Sequence, residues 1–431
     1  MLPHSAQLLL YRIAVRLYGW LIGLAGFFHP KARLWTQGRQ DLFGRLKEGR
    51  KSLRPDCPTV WVHCASVGEF EQGRPLIEAL RDRQPDLNIV LSFFSPSGYQ
   101  LRKNYPVADL VCYLPLDTPG NARRFLDLLD PALAIFVKYE FWFEHLAELN
   151  RRKVPTFLIS AVFRPKQVFF RWYGSLFRQM LRTFDAIFVQ ERSSAELLEE
   201  LRHPRVLVAG DTRVDRVCQV AGQVFDTPLL DVFTGSSPLL IAGSTWPEDE
   251  QLLIEHLKNG ALPNWKYLIV PHELTSARLE ELQAALPMPS IRFTRSGREE
   301  AESARIMILD TMGMLSGAYR YGRIAWIGGG FGAGIHNVLE AAVYGLPTLF
   351  GTRYRKFPEA TALVSAGGAF PVDTYETLQQ TLRSLQDATS YERASAQARR
   401  YIAENQGATG RILAELLPLL SDGEGGRTSS R

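Results

Sequence analysis

The chain reads as an α/β protein made of two doubly wound parallel sheets in tandem, preceded by an apolar N-terminal segment. Three observations predict this. With 431 residues the chain exceeds one ordinary core and suits two domains of about 200 residues. Short apolar runs alternate with amphipathic stretches, the pattern of βαβ units and a parallel sheet covered on both faces. The alternation restarts after Asp226-Thr227-Pro228, which reads as an interdomain link.

Taken in order, residues 1–54 form an apolar segment and a basic linker. The uninterrupted apolar run, Leu17 to Phe28, has 12 residues, short of the roughly 20 needed to span a bilayer. Extending it back to Leu8 takes in Arg12 and Arg16. No small-residue cleavage site follows, so a secretory signal is not expected. Tyr18, Trp20 and Trp35 suit a membrane–water interface, and the segment reads as an anchor lying in or dipping into the membrane. A helix packed on the domain and a single-pass span are the alternatives.

Charge supports the anchor. Residues 1–54 hold ten Lys/Arg against Asp41 and Glu48, a surplus of eight, whereas the whole chain is only +5. The remaining 377 residues therefore carry three more acids than bases. Nucleic-acid binding is poorly supported, while cations beside an apolar segment favour the anionic cytoplasmic leaflet. A hydrophobic content of 46% with 22% charged residues is that of a soluble globular body. The four cysteines show no C-x-x-C spacing, so neither a zinc site nor a disulfide framework is expected and a reducing cytoplasm fits.

The first domain, 55–225, has strand patterns at 60–64, 89–93, 110–114, 134–137, 156–159, 186–189 and 206–209. Helical patterns lie at 74–83, 121–129, 141–151 and 195–201. The second domain, 226–420, has strand patterns at 239–242, 267–270, 306–309, 324–327 and 348–350, with helices at 250–257, 276–286 and 338–344. Residues 421–431, rich in Gly and Ser, read as a disordered tail. Folds of this kind bind ligands at the carboxyl ends of their strands, which two tandem sheets would turn towards a common cleft.

The richest segment is Ile327-Gly-Gly-Gly-Phe-Gly-Ala-Gly-Ile-His-Asn-Val-Leu-Glu340, a strand end, a loop with five glycines and a helix start. Glycines permit close backbone approach and helix-start amides attract anions, so the loop suits a phosphate, with His336, Asn337 and Glu340 for sugar hydroxyls. The alternative is a glycine-rich turn between two core elements. On the same sheet edge lie Gly243-Ser244-Thr245-Trp246, Pro271-His272-Glu273 and Asp310-Thr311-Met312-Gly313-Met314. Four such loops in register describe a nucleotide pocket.

In the first domain, His63-Cys64-Ala65-Ser66-Val67-Gly68-Glu69 follows the first strand. A carboxylate there can act as general base towards a hydroxyl; it can equally complement a helix dipole. Ser66 suits a helix cap, and His63 suits the core. Glu140, in Lys138-Tyr139-Glu140-Phe141-Trp142, is a second acid at a strand end, either functional or paired with Lys138. Arg213, in Gly210-Asp211-Thr212-Arg213-Val214-Asp215, could neutralise a leaving phosphate, or pair with Asp211 or Asp215.

These segments, in this order, resemble the 3-deoxy-D-manno-octulosonic acid (Kdo) transferases, over nearly the whole chain. The resemblance implies the GT-B fold of two Rossmann-like domains facing a cleft, the second binding the nucleotide sugar, with no metal and no cofactor. It implies transfer of Kdo from CMP-Kdo to the lipid A precursor at the cytoplasmic face of the inner membrane. The family's Ser-Val-Gly-Glu motif matches Ser66 to Glu69 and makes Glu69 the base. Its Glu-Leu-Trp motif matches Glu140-Phe141-Trp142, whose acid stabilises the transition state. The family's Lys falls at Arg213, with the charge kept and the geometry changed. CMP-binding segments match Pro271-His272, Met312-Gly313-Met314 and Asn337-Val338-Leu339-Glu340, with Met314 replacing the usual acid. Arg164, Lys166, Arg171 and Arg178 are candidates to meet acceptor phosphates. Two rival readings remain: a GT-B enzyme using a UDP-sugar, and a non-catalytic membrane-tethered nucleotide-binding protein.

Overall fold

Both series of apolar runs form fully parallel seven-stranded sheets in the computed structural model, which describes residues 4–421. The tail expected to be disordered lies, from residue 422 on, outside the described residues. In the first sheet β1 (Thr59–Cys64), β2 (Asn88–Phe93), β3 (Leu110–Tyr113), β4 (Leu133–Val137), β5 (Thr156–Ala161), β6 (Ala186–Val189) and β7 (Val206–Val208) lie in the order β3-β2-β1-β4-β5-β6-β7. In the second, β8 (Leu239–Thr245), β9 (Lys266–Pro271), β10 (Ser290–Arg292), β11 (Ile306–Ile308), β12 (Ile324–Ile327), β13 (Thr348–Phe350) and β14 (Ala369–Pro371) take the order β10-β11-β9-β8-β12-β13-β14. Strand order reverses once in each sheet, between β1 and β4 and between β8 and β12. Ligands bind such sheets at these switch points.

Every residue of β1, β2, β4, β5 and β6 is buried, which is why their sequences read as continuous apolar runs rather than alternating ones. The β10 and β14 edge strands were not expected: Ser-Ile-Arg and Ala-Phe-Pro are too short and too mixed to stand out. Helix Val67–Arg83 starts a full turn or more ahead of the expected 74, with Ser66 at its cap position.

The chain divides into two compact units at Asp215/Arg216 and at Gln406/Gly407. The division thus differs from the expected 226–420 at both ends. Helix Ala408–Ser421 belongs to the first unit because Ile412, Leu413, Leu416 and Leu420 share a core with Val60, Phe70, Leu76 and Ile135. Asp215 caps it by accepting the amides of Gly407 and Thr409 at 2.5 and 2.6 Å.

The N-terminal helix runs from His4 to Ala25, 22 residues, and is long and apolar enough to cross a membrane. Arg12 and Arg16, which shortened the sequence estimate, do not interrupt it. One face packs on the first unit: Gln7 accepts from the Ser175 hydroxyl, Arg12 pairs with Glu144, and Gly19 lies against Leu116. The other face leaves Leu9, Ile13, Leu17, Trp20, Leu21 and Leu24 exposed, followed by Phe27 and Phe28. One side of this helix is thus packed on the domain and the other is apolar and exposed.

The second core contains a buried histidine. His256, fully buried, bonds Tyr267 Oη at 3.1 Å and Gln379 Nε2 at 2.7 Å, and burial pushes its pKa down to about 4. A depressed histidine contributes stability that is present above the unfolded value near 6.5 and is lost as pH falls towards 4. Between pH ~6.5 and ~4.5 this single group is expected to remove about 2–3 kcal/mol. Urea unfolding at both pH values should show that loss, and His256→Gln should flatten it; an equal slope in the variant would refute the assignment.

Candidate functional site

The first unit gathers its candidate residues at the switch between β1 and β4. Register sets His63 of β1 between Ser92 of β2 and Phe136 of β4. Ser92 Oγ accepts the Trp61 indole N–H at 2.8 Å and meets His63 Nδ1 at 2.8 Å. With the serine hydrogen on Nδ1, the Nε2–H donates to Glu140 Oε2 at 3.1 Å. The Trp142 indole N–H donates to the same oxygen at 2.7 Å. Glu140 is only 8% exposed, so these two donors offset the cost of burying its charge. His63 is fully buried, as a core residue would be, yet it touches the candidate acid.

The backbone helps to place that acid. Lys138, at the end of β4, has φ +71, a left-handed conformation that costs a non-glycine residue about 1–2 kcal/mol. This turn leaves Tyr139 39% exposed and Glu140 buried. The Phe94 ring lies against Trp142, tilted by 34° with centroids 4.6 Å apart.

Glu69 sits in the first turn of helix Val67–Arg83, where it accepts the Ser66 hydroxyl. Ser66 is at the cap position but bonds this carboxylate, not a backbone amide. Burial first, then the charges of Glu69 and Glu140, raise the thiol of fully buried Cys64. Both acids therefore face the same strand end.

Arg213 lies in the first turn of helix Thr212–Gly222. Its Nε and Nη2 fork onto Asp211 Oδ2 at 2.9 and 2.6 Å, which is the pairing named above as its alternative. Of the cations considered for the acceptor, Arg178 donates to the carbonyls of Phe169 and Arg171, and Arg171 to that of Lys166.

In the second unit the residues converge where β8 and β12 meet. Ser244 has φ +53, and a Cβ on Gly328 would lie 2.1 Å from its carbonyl oxygen. A Cβ on Gly330 would lie 2.4 Å from the Gly351 nitrogen. These glycines are required by close backbone packing. Five of the loop's amides are bonded internally: Gly328 bonds Gly243, Gly332 and Gly334 bond Gly329, His336 bonds Gly328, and Gly329 bonds Asp249. The expected helix from 338 is one short turn, Leu339–Ala342. The loop is thus a tightly packed turn in which five amides, those of Gly328, Gly329, Gly332, Gly334 and His336, are bonded internally.

Side chains also gather at this edge. The rings of Trp246 and His272, and of His272 and His336, stack at 4.6 Å, and the Trp246 indole donates to His336 Nε2 at 3.0 Å. Burial and the neighbouring His272 push His336 down to about 4, so it is neutral at pH 7 with its proton on Nδ1. Glu340 accepts from Ser316 Oγ at 2.8 Å and Asn337 Nδ2 at 3.1 Å. Val338 and Leu339 are fully buried, which leaves only their backbone for a ligand; Pro271 is buried too, and His272 exposed. Met312 is 78% exposed and Gly313 has φ +82 with open space at its Cβ position. Met314 is half-buried at the start of helix Leu315–Ala318.

Sequence reasoning missed Asp249, Ser316, Arg353 and Lys356. Asp249 accepts Trp246 N at 2.9 Å and Gly329 N at 2.8 Å, and so ties the β8 loop to the glycine turn. Arg353 and Lys356 donate to the carbonyls of Gly332 and Ala333. Nothing local in the sequence marks these contacts.

Comparison with known proteins follows the same lines. Residues 38–216 match the family model described as 3-deoxy-D-manno-octulosonic-acid transferase (kdotransferase). The 3-deoxy-D-manno-octulosonic acid transferase of Haemophilus influenzae is 27% identical over 416 residues, covering 93% of this chain and 94% of the relative. That of Bordetella pertussis is 26% identical over 399 residues, covering 87% and 91%. Among solved structures, the calicheamicin glycosyltransferase CalG4 superposes with a TM-score of 0.56 at 14% identity, covering 87% of this chain and 100% of its own, a likeness of fold alone. The chain is a glycosyltransferase with the GT-B fold, carries a match to the 3-deoxy-D-manno-octulosonic-acid transferase family model over residues 38–216, and is similar nearly end to end to curated 3-deoxy-D-manno-octulosonic acid transferases.

Proposed function

We propose that the enzyme transfers Kdo from CMP-Kdo to a lipid A precursor without a metal and with inversion at the anomeric carbon. The observation that carries this is the placement of Glu69 and Glu140 at one strand end of the first sheet, with Glu140 clasped by His63 and Trp142. Glu69 takes the proton of an acceptor hydroxyl, whose oxygen attacks the anomeric carbon as the bond to the CMP phosphate breaks. Attack from the face opposite the leaving group inverts the centre. Glu140 opposes the positive charge that builds on the sugar ring. Arg213, oriented by Asp211, is assigned to the charge of departing CMP.

The second unit takes the nucleotide. The flat Trp246–His272–His336 group suits a pyrimidine face, the His336 Nδ1–H a carbonyl or phosphate oxygen, and Glu340 the ribose hydroxyls. Pro271, Met312, Gly313, Met314 and Asn337 to Leu339 complete the proposed CMP contacts, the buried ones through their backbone. The exposed apolar face of the N-terminal helix and the basic linker attach the enzyme to the cytoplasmic face of the inner membrane.

Calorimetric titration separates the donors. CMP is expected to bind more tightly than UDP, and Glu340→Gln to weaken CMP about tenfold through a lost charge-assisted bond. Tighter binding of UDP would overturn the CMP assignment. Mass spectrometry of the product from CMP-Kdo and the lipid acceptor tests the transfer itself.

A further inference from the structure

The segment that carries Glu140 and Trp142 continues directly into helix Phe143–Arg151, and the start of that helix is capped in an unusual way. A helix leaves its first amides without partners, and a Ser, Thr, Asp or Asn at the cap position normally receives one. Here that position holds Trp142, whose indole has a donor but no acceptor and so makes no cap bond; its N–H serves Glu140 instead. The amides are received from elsewhere. Asp117, fully buried, accepts Glu144 N on Oδ2 and His145 N on Oδ1, both at 3.0 Å, and His145 Nδ1 on Oδ1 at 2.5 Å.

The remaining amide goes to the N-terminal helix. Tyr11 Oη accepts Phe143 N at 3.2 Å and donates its own hydrogen to Asp117 Oδ2 at 2.5 Å. One residue on, Arg12 forks onto Glu144, Nε to Oε1 at 2.6 Å and Nη2 to Oε2 at 3.4 Å. The Tyr11 ring lies against Phe143, centroids 6.0 Å apart. From Phe143 back to Glu140 is three residues, so whatever fixes the start of this helix also fixes the acid.

We propose that Tyr11 and Arg12 are positioning residues: the N-terminal helix, through Asp117 and Glu144, completes the cap that holds Glu140 and Trp142 against His63. The helix then has a second role besides attachment. An enzyme bound to the membrane by its apolar face, but lacking the Tyr11 hydroxyl, retains its substrates and loses rate. The kinetic part rests on the Kdo-transfer reading; the geometric part does not.

The test is Tyr11→Phe in the full chain, which keeps the ring on Phe143 and removes both hydrogen bonds. With isotope-labelled tryptophan, the indole N–H resonance of Trp142 is expected to move, while that of Trp246 in the second unit stays. In the transfer assay kcat is expected to fall about tenfold, since small misplacements of reacting groups are costly. KM for donor and acceptor, and retention on anionic vesicles, should stay within about twofold. If Tyr11→Phe does not fold, Arg12→Gln gives the same readouts with a smaller change, about threefold in kcat. An unmoved Trp142 resonance, or a moved resonance with unchanged kcat, would overturn the proposal; so would loss of vesicle binding in parallel with rate. A wild-type chain without turnover would refute the transfer reading and leave the resonance to decide the coupling.

Discussion

Glu69→Gln is expected to lower kcat about a thousandfold while leaving CMP binding within a factor of two. General-base catalysis by a positioned side chain contributes roughly 10²–10⁴-fold, and glutamine removes the basic oxygen with almost no change of shape. The Ser66 hydroxyl, which donates to Glu69, can still donate to the glutamine carbonyl, so the start of helix Val67–Arg83 should survive. Ser66→Ala is the control for that contact and should cost only a few-fold. Turnover in the Glu69→Gln variant within tenfold of wild type would remove Glu69 as the base. The alternative role for this residue, an acid that merely complements a helix start, predicts a loss of stability and no change in the rate of the folded enzyme.

How much of this was legible in the sequence depends on the range of the contact. The central strands announce themselves because both faces are buried and the runs are continuously apolar, as in Leu133–Val137 and Ala186–Val189. Edge strands pair on one side only and need no such run, so Ser290–Arg292 and Ala369–Pro371 stayed hidden. The acids at 69 and 140 were visible because a carboxylate after a parallel strand is already at the ligand-binding edge. Their support was not: the chain from Trp61 through Ser92 and His63 to Glu140 exists only once the β1–β2 register pairs His63 with Ser92. The glycine loop shows a second cause behind a composition that suggested a cradle for phosphate. Gly328 and Gly330 are also required because Ser244 and Gly351 leave no room for a side chain. The return of helix Ala408–Ser421 to the first unit was illegible for the same reason, since its apolar face matches either core until the contacts are known.

Asp249→Ala is expected to destabilise the second unit by about 4 kcal/mol. The side chain is fully buried, and Oδ2 receives both Trp246 N and Gly329 N, with the Trp326 indole 3.4 Å from Oδ1. Truncation leaves two buried amides without acceptors, each costing about 1–3 kcal/mol. Against this stands the cost of the buried charge, since burial raises the Asp249 carboxyl above the ordinary carboxylate range. Asp249→Asn separates the two terms. Its carbonyl oxygen can keep both amides and carries no charge, but its NH₂ then faces the Trp326 N–H. If the hydrogen bonds dominate, asparagine should lose only about 1–2 kcal/mol, well short of the alanine loss. Urea unfolding followed by tryptophan fluorescence measures both, and equal losses would mean that the charge itself holds the loop. Because Asp249 joins the Trp246 segment to the turn that carries His336, the alanine variant should also bind CMP more weakly wherever it remains folded. Stability and donor binding then fail together at one residue that lies outside every motif.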